Sequence, residues 1–414
     1  MSELLKTKLQ ELQAAALDDC TSMSSHYRGI VAQNMDKIIT AFRECRLSEY
    51  HFHGSSGYGY NDAGREKLED VFAHIFRAPA ALVRPHFVSG THTLATVLLA
   101  LLKPNDELVS VVGAPYDTMQ SVIGTRGNEP GNLLSIGVRY KEIAAPEGRF
   151  DLDAIEAGIT SNTTVALIQR SRGYSSRESL LPEDIESIIK AVKDKNPNTV
   201  CFVDNCYGEF TQTKEPYELG ADIVAGSLIK NPGGGLAPTG GYVVGRKELV
   251  EQTAHQLTAP GLGAEMGSYM SGYRWFFQGL FMAPHVVGQA LMGADFAAAL
   301  FSRMGYEVSP RLGDARSDLV QSIVLKSADH MRRFCEGIQA YSPVDGFVRP
   351  IPGDLPGYSD PVIMAAGTFS QGSTIEISAD GPIRAPYVVY LQGGLVFEHN
   401  VLAATEAAYR LMKE

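Results

Sequence analysis

The sequence predicts an α/β protein: a mostly parallel sheet covered by helices on both faces, followed by a smaller α+β domain. Three observations carry this. Short, near-continuously apolar runs recur at 163–169, 199–204 and 223–227, without the alternation of a half-exposed strand. Helical stretches separate them, as parallel strands require. At 414 residues the chain exceeds the size at which one core stops growing, and its pattern changes near residue 295. We therefore expect N-terminal helices over 1–50 packing on the other domains, a large ligand-binding domain over 51–294, and a small C-terminal α+β domain over 295–414.

Taken in order, Leu4, Leu5, Leu9, Leu12 and Ala16 recur at helical spacing, and a second helix is expected near 35–42. Residues 51–64, rich in Gly, Ser and Tyr, read as a loop. Residues 91–102 read as a helix that is apolar nearly all round, hence buried. Strands follow at 107–112, at 163–169 after a helical stretch starting near Asp151, at 199–204 and 223–227, and at 241–244 beyond a glycine cluster. The helix over 182–193 has Pro182 at its start and Asp184 in its first turn, both favourable there. In the second domain, 297–302 reads as a helix end, 310–317 as a loop and 319–325 as a strand. Residues 328–340 read as a helix, 362–365 and 374–378 as strands, and 393–412 as a closing helix. Internal repeats and low-complexity segments are not evident.

Composition narrows the class. With 44% apolar and 20% charged residues the chain has the make-up of a soluble globular protein. A net charge of −11 argues against a general nucleic-acid binder, although a local pocket can still take a small anion. Cys20, Cys45, Cys201, Cys206 and Cys335 are odd in number and widely spaced, which suggests neither a disulfide framework nor a metal site. A reducing cytoplasm is the expected location. The N-terminal stretch is charged and amphipathic, unlike a signal peptide, and no run is long and apolar enough to span a membrane.

Five segments carry chemistry, each expected at the carboxyl end of a strand, where parallel sheets present ligands. In VSGTHT, Ser89, Gly90 and Thr91 open a helix whose free N–H groups and dipole suit a phosphate, with Gly90 permitting close approach. The plain alternative is an N-cap. In GAPYDT, Tyr116 can stack on a flat ring. In IQRSRGY, Arg170 or Arg172 can meet a phenolate or a carboxylate. In VDNCYGEF, Asp204 follows three apolar residues and needs a cationic partner, which a protonated pyridine nitrogen would supply. In GSLIKNPGGGLAPTGG, Lys230 is a candidate amine nucleophile, its proton loss favoured by a desolvated, cation-rich pocket, and Ser227 can reach the same phosphate as Ser89.

This order of residues resembles the fold type I enzymes that use pyridoxal 5′-phosphate (PLP), and within them the cystathionine lyase and methionine γ-lyase group. The wording RSRGYSSR, SLIKNPGGGLAPTGGYVVGR and ISADGPIRAPYVVYLQGGL is similar to a narrower family, the methionine γ-lyase or aluminium resistance proteins. The resemblance implies an aspartate-aminotransferase-like fold with a mostly parallel seven-stranded sheet. It implies a Schiff base of PLP on Lys230, which also shuttles protons, Asp204 on the pyridine nitrogen and Tyr116 on the ring. Gly90, Thr91 and Ser227 would hold the phosphate. In the wider group a tyrosine from the neighbouring subunit touches the phosphate too. SGYGYNDAGREKLE occupies that place, so Tyr58 or Tyr60 is the nearest match, implying shared sites in a homo-oligomer, a dimer of dimers. The chain departs from the group's pattern at Ile229 and Cys206, where threonines are usual. Arg384, in ADGPIRAPY, is expected to bind the substrate carboxylate, with Arg172 beside it as a second candidate.

The activity implied is carbon–sulfur bond cleavage on a sulfur-containing amino acid. Other PLP chemistry (transamination, aldol cleavage, racemisation) is the alternative, since pocket geometry selects the fate of the carbanion. A phosphate-binding protein without PLP is a third reading. It lacks a GxxxxGK[ST] loop, and the glycines here follow Lys230 instead of preceding it.

Overall fold

Strands apolar on both sides must be covered on both sides, and the runs predicted at 163–169, 199–204 and 223–227 occupy the middle of one sheet. The protein is a computed structural model that describes residues 3–127, 129–175, 177–355, 358 and 360–413. Its first half comprises α1 (Glu3–Asp19), α2 (Thr21–Glu44), α3 (Ala63–Ile75), β1 (Ala80–Arg84), α4 (Gly90–Leu101), β2 (Glu107–Ser110), α5 (Asp117–Ile123), β3 (Arg139–Glu142), α6 (Leu152–Gly158), β4 (Thr163–Gln169) and α7 (Pro182–Lys195). There follow β5 (Val200–Asp204), β6 (Ile223–Ser227), β7 (Gly241–Gly245), α8 (Lys247–Leu257) and α9 (Arg274–Arg303). The chain closes with β8 (Glu307–Ser309), β9 (Gln321–Val324), α10 (Ala328–Ala340), β10 (Val362–Ala365), β11 (Ser378–Pro382), β12 (Val388–Gln392) and α11 (Phe397–Met412).

The large sheet has seven strands in the order β1-β7-β6-β5-β4-β2-β3. β3, β2, β4, β5 and β6 pair in parallel, and only β7 reverses, antiparallel to both β6 and β1. One apolar core lies on the face toward α2, α3, α7 and α9, with Phe72, Val203, Val224 and Phe277 among its members. The other face packs under α4 and α8, through Leu94, Val97, Leu98, Leu108 and Phe202. α4 approaches β7 so closely that a Cβ at Gly241 would stand 2.0 Å from Thr93 Oγ1.

The second sheet is fully antiparallel, in the order β10-β11-β12-β9-β8. Its core is shared with α10, α11 and the last turns of α9. α9 spans 30 residues and carries Pro284; Phe276 to Leu291 serve the first core and Phe296 to Phe301 the second. Of the N-terminal helices, α2 packs on the first core through Tyr27, Ile30, Ile38 and Ala41, and α1 on the second through Ala16, joined by Cys20 between the two helices. Leu4, placed on the apolar face of α1 by spacing, is 81% exposed.

Three sequence expectations need correction. The helix end predicted at 297–302 is the tail of a helix that starts at Arg274. The strand predicted at 374–378 starts at Ser378 and runs to Pro382. Ile375 and Ile377 alternate as strand residues do, but both are buried in cores outside any ladder. The strand expected to run into Ser89 stops at Arg84, because Pro85 has no N–H to extend the pairing.

Candidate active site

β1, β2, β4, β5 and β6 end at one edge of the large sheet, and the polar residues singled out above stand past those ends. Ser89 is the N-cap of α4, its Oγ accepting the His92 N–H at 3.0 Å. The capping reading therefore holds, while the helix start keeps further N–H groups free next to Gly90. Thr91 Oγ1 lies 3.0 Å from the Tyr116 hydroxyl and 3.1 Å from Thr118 Oγ1. Tyr116 is fixed from behind by its own N–H, which donates to Gln169 Oε1 at 2.8 Å. Asp204 closes β5, is 5% exposed, and accepts the Cys206 N–H on Oδ1 at 3.1 Å. Lys230 follows β6, and its Nζ sits 4.0 Å from the centroid of the Tyr207 ring.

These side chains converge. A cavity of about 230 Å³ is lined by Thr91, Tyr116, Asp204, Cys206, Tyr207 and Lys230 from the side of the large sheet. Tyr358, Asp380, Tyr390 and Gln392 close it from the second sheet and its loops. Burial pushes the Asp204 carboxyl up from the usual carboxylate range, and Lys230 pulls it back down. Cys206 is likewise pushed well up by burial, so its thiol stays neutral. Lys230 corrects an expectation. Burial disfavours its ammonium, yet Cys206, Tyr207, Asp204 and Tyr116 surround it, and its pKa is held well above the ordinary lysine range. The groups that act on Lys230 are acids and not cations, and Asp204 among them favours the ammonium.

The arginines separate. Arg170 is committed to the scaffold: its guanidinium donates to Ser317 Oγ, Asn205 Oδ1 and Thr211 Oγ1 and faces Glu215. Arg172 and Arg384 line a second cavity of about 460 Å³, which shares Tyr174 and Tyr390 with the first. Arg172 is 2% exposed, donates to Ser309 O, Ser309 Oγ and Ser322 Oγ, and keeps Nε without a partner. Arg384 is half-exposed and pairs with Asp360 at 2.9 Å. Tyr58 and Tyr60 are 68% and 58% exposed, their rings 5.7 Å apart, and neither lines the cavity of its own chain.

Residues 9–412 match the family model described as methionine gamma-lyase. The chain belongs to the methionine gamma-lyase family. It is 44% identical over 414 residues to YnbB, an uncharacterized protein of Bacillus subtilis, covering 100% of this chain and 97% of that one. A structure from Clostridium novyi, described as a carbon-sulfur lyase involved in aluminum resistance, superposes with a TM-score of 0.94 at 46% identity, over 98% of this chain and 96% of that one. A structure from Listeria monocytogenes, provisionally named a cystathionine beta-lyase involved in aluminum resistance, gives 0.94 at 45% identity, over 97% and 100% of the two chains. The fold is thus that of fold type I PLP enzymes, as the resemblance implied.

Enzymes of the methionine gamma-lyase family use PLP in general, and two observations test whether these residues fit it. Ser227 Oγ is buried and has no hydrogen-bond partner. A Cβ at Gly90 would stand 3.3 Å from Ser227 Cβ, 3.6 Å from Cys206 Sγ and 4.0 Å from Lys230 Nζ, so glycine keeps that recess open. An orphaned hydroxyl facing a side-chain-free helix start suits a phosphate, and the residues fit. Tyr358, Tyr390 and Gln392 escaped the sequence reading, and so did Tyr207 and Asp380. Tyr207 lay inside a quoted motif, but nothing in the sequence distinguishes its ring from a packing one. Asp380 lay beside Arg384, and its signal was present: a carboxylate between Ile377, Ala379 and Ile383, the same argument that selected Asp204.

Proposed function

We propose that this chain is a PLP-dependent carbon–sulfur lyase acting on a sulfur-containing amino acid, of the cystathionine β-lyase or methionine γ-lyase type. The observation that carries the reading is the cavity in which Lys230, Asp204 and Tyr116 meet beside the open helix start at Gly90. When bound, PLP supplies an aldehyde for a lysine amine and a ring that accepts the electron pair left at the substrate Cα.

The chain's own residues supply the rest. Lys230 Nζ would take the proton from Cα and give it up again before the next turnover. Asp204 would keep a proton on the pyridine nitrogen, a cation that a carboxylate buried this deeply favours. Tyr116, its hydroxyl held by Thr91, would stack against the ring. Ser89, Gly90, Thr91 and Ser227 present backbone and hydroxyl donors to the phosphate. Arg172 and Arg384 attract a substrate carboxylate from the adjoining cavity. The exposed tyrosines Tyr58 and Tyr60 reach the cavity of a second copy, so that the working form is a homo-oligomer with shared sites. Five free cysteines suit a reducing cytoplasm.

The test is direct. Protein loaded with PLP should turn yellow, and borohydride should fix the cofactor on the peptide containing Lys230. Release of thiol and 2-oxo acid from cystathionine, cysteine or methionine then establishes the lyase. A labelled Lys230 with no thiol release from any of them leaves a PLP enzyme of another reaction type.

A further inference from the structure

Asp380 is a buried carboxyl group of the cavity to which the reading above gives no task. It lies in β11, on the wall opposite the large sheet, and is 4% exposed. Oδ2 accepts from Gln392 Nε2 at 3.0 Å, and Tyr174 acts on the same carboxyl group from the cavity wall. Oδ1 is buried without any partner. A carboxyl buried this deeply, with one oxygen held and the other bare, costs free energy unless a ligand completes it.

Its surroundings define what it can do. Tyr174, Tyr207, Tyr358 and Tyr390 face it with neutral phenols, Cys335 of α10 lies behind it, and Lys230 is the cation that acts on it. Burial pushes its pKa up to about 7, against the pull of Tyr174, the hydrogen bond from Gln392 and the pull of Lys230. Near neutrality it therefore holds a transferable proton.

We propose that Asp380 is a second acid–base group of this site, donating its proton through Oδ1 to the sulfur of the leaving group. The inference rests on the lyase reading above. For an S-substituted cysteine, Lys230 removes the Cα proton and the electron pair freed at Cα forms the Cα=Cβ bond. The Cβ–S bond breaks with its pair on sulfur, and the Asp380 proton passes to that sulfur, so a neutral thiol departs. The carboxylate left behind is stabilised by Gln392, Tyr174 and the nearby Lys230 ammonium, and recovers its proton from solvent. A thiolate is a poor leaving group, which is why an acid here is worth having.

The test compares leaving groups in cofactor-loaded enzyme. Asp380→Asn should lose about 100-fold in kcat on S-methylcysteine, whose thiolate needs the proton, but no more than about 10-fold on β-chloroalanine, whose chloride does not. A second readout needs neither cofactor nor turnover: the infrared carbonyl absorption of protonated carboxyls in the cofactor-free protein at neutral pH should contain a component, besides that of Glu209, that fades as pH rises through about 7 and that Asp380→Asn removes while Glu209→Gln leaves it in place. Equal losses on both substrates, with wild-type protein active, overturn this proposal alone. So does a carboxyl band that the substitution leaves untouched. Wild-type protein inactive on both substrates overturns the lyase reading and this proposal with it.

Discussion

The Nζ of Lys230 sits over the ring of Tyr207, 4.0 Å from its centroid, and Tyr207 itself adopts a left-handed backbone with φ of 71°. A bulky residue in that region costs about 1–2 kcal/mol. Here the cost holds the ring beneath the ammonium, where a desolvated cation–π contact is worth up to about 2 kcal/mol. Tyr207→Ala removes the platform, and the lysine should then lose its proton about one pH unit lower. Tyr207→Phe keeps the ring and most of the effect. The pH dependence of the rate at which cofactor-free protein takes up PLP measures both.

The path from sequence to this site is uneven. Strand ends were legible because 163–169, 199–204 and 223–227 are apolar on both faces, and that placed Asp204 and Lys230 within reach of each other. The second sheet was harder to read. β12 is short and β11 mixes Ala, Gly and Pro with Asp380, so neither shows a period-two pattern. The separation of Arg172 from Lys230 is set by Ser309 and Ser322, residues 137 and 150 positions away, which no local pattern records. The charge state of Lys230 also depends on groups brought together only by folding, which is why a cation-rich pocket was expected where the structure has Asp204, a thiol and two phenols.

Behind the lysine turn, Glu209 ties two elements together. Its Oε1 accepts from the Tyr242 hydroxyl at 2.8 Å, and its carbonyl accepts from Asn231 Nδ2 at 2.9 Å, the residue next to Lys230. Burial pushes its pKa from 4.5 up to about 8. The folded chain thus prefers the protonated form, and the unfolded chain ionises first. Stability from this group is complete below the ordinary carboxylate pKa and is lost as pH rises through about 8. Asp380, raised to about 7, adds a loss of the same sign. Wild-type protein should therefore lose a few kcal/mol between pH ~5 and ~9, and Glu209→Gln should recover much of it. Urea unfolding at both pH values reads the difference.

Asp295 joins three parts of the chain: Tyr27 of α2 donates to its Oδ2 at 2.8 Å, Arg316 ahead of β9 pairs with its Oδ1 at 2.6 Å, and Asp295 itself lies on α9. Arg316 and Asp295 are both buried, at 3% and 0% exposure. Removing one partner strands the other charge, so Asp295→Ala should cost about 3–5 kcal/mol. Replacing both, as Asp295→Leu with Arg316→Met, should cost less than the single change. Denaturant midpoints of the single and double variants decide this.

Ser227 gives a substitution expected to act in opposite directions on stability and on binding. In the cofactor-free chain its Oγ is buried with no partner, a state that costs about 1 kcal/mol or more. Ser227→Ala deletes the unsatisfied group without changing the packing around Gly90, so cofactor-free protein should become more stable by about 1 kcal/mol. If the hydroxyl completes its hydrogen bonding on the phosphate, the same change should weaken PLP binding about tenfold, the equivalent of about 1.4 kcal/mol. Thermal unfolding without cofactor and titration with PLP give the two halves. Weaker binding with no gain in stability would mean that the hydroxyl already has a partner in the free chain. A gain in stability with unchanged binding would place the phosphate away from Ser227, leaving the helix start at Gly90 and Thr91 to hold it alone.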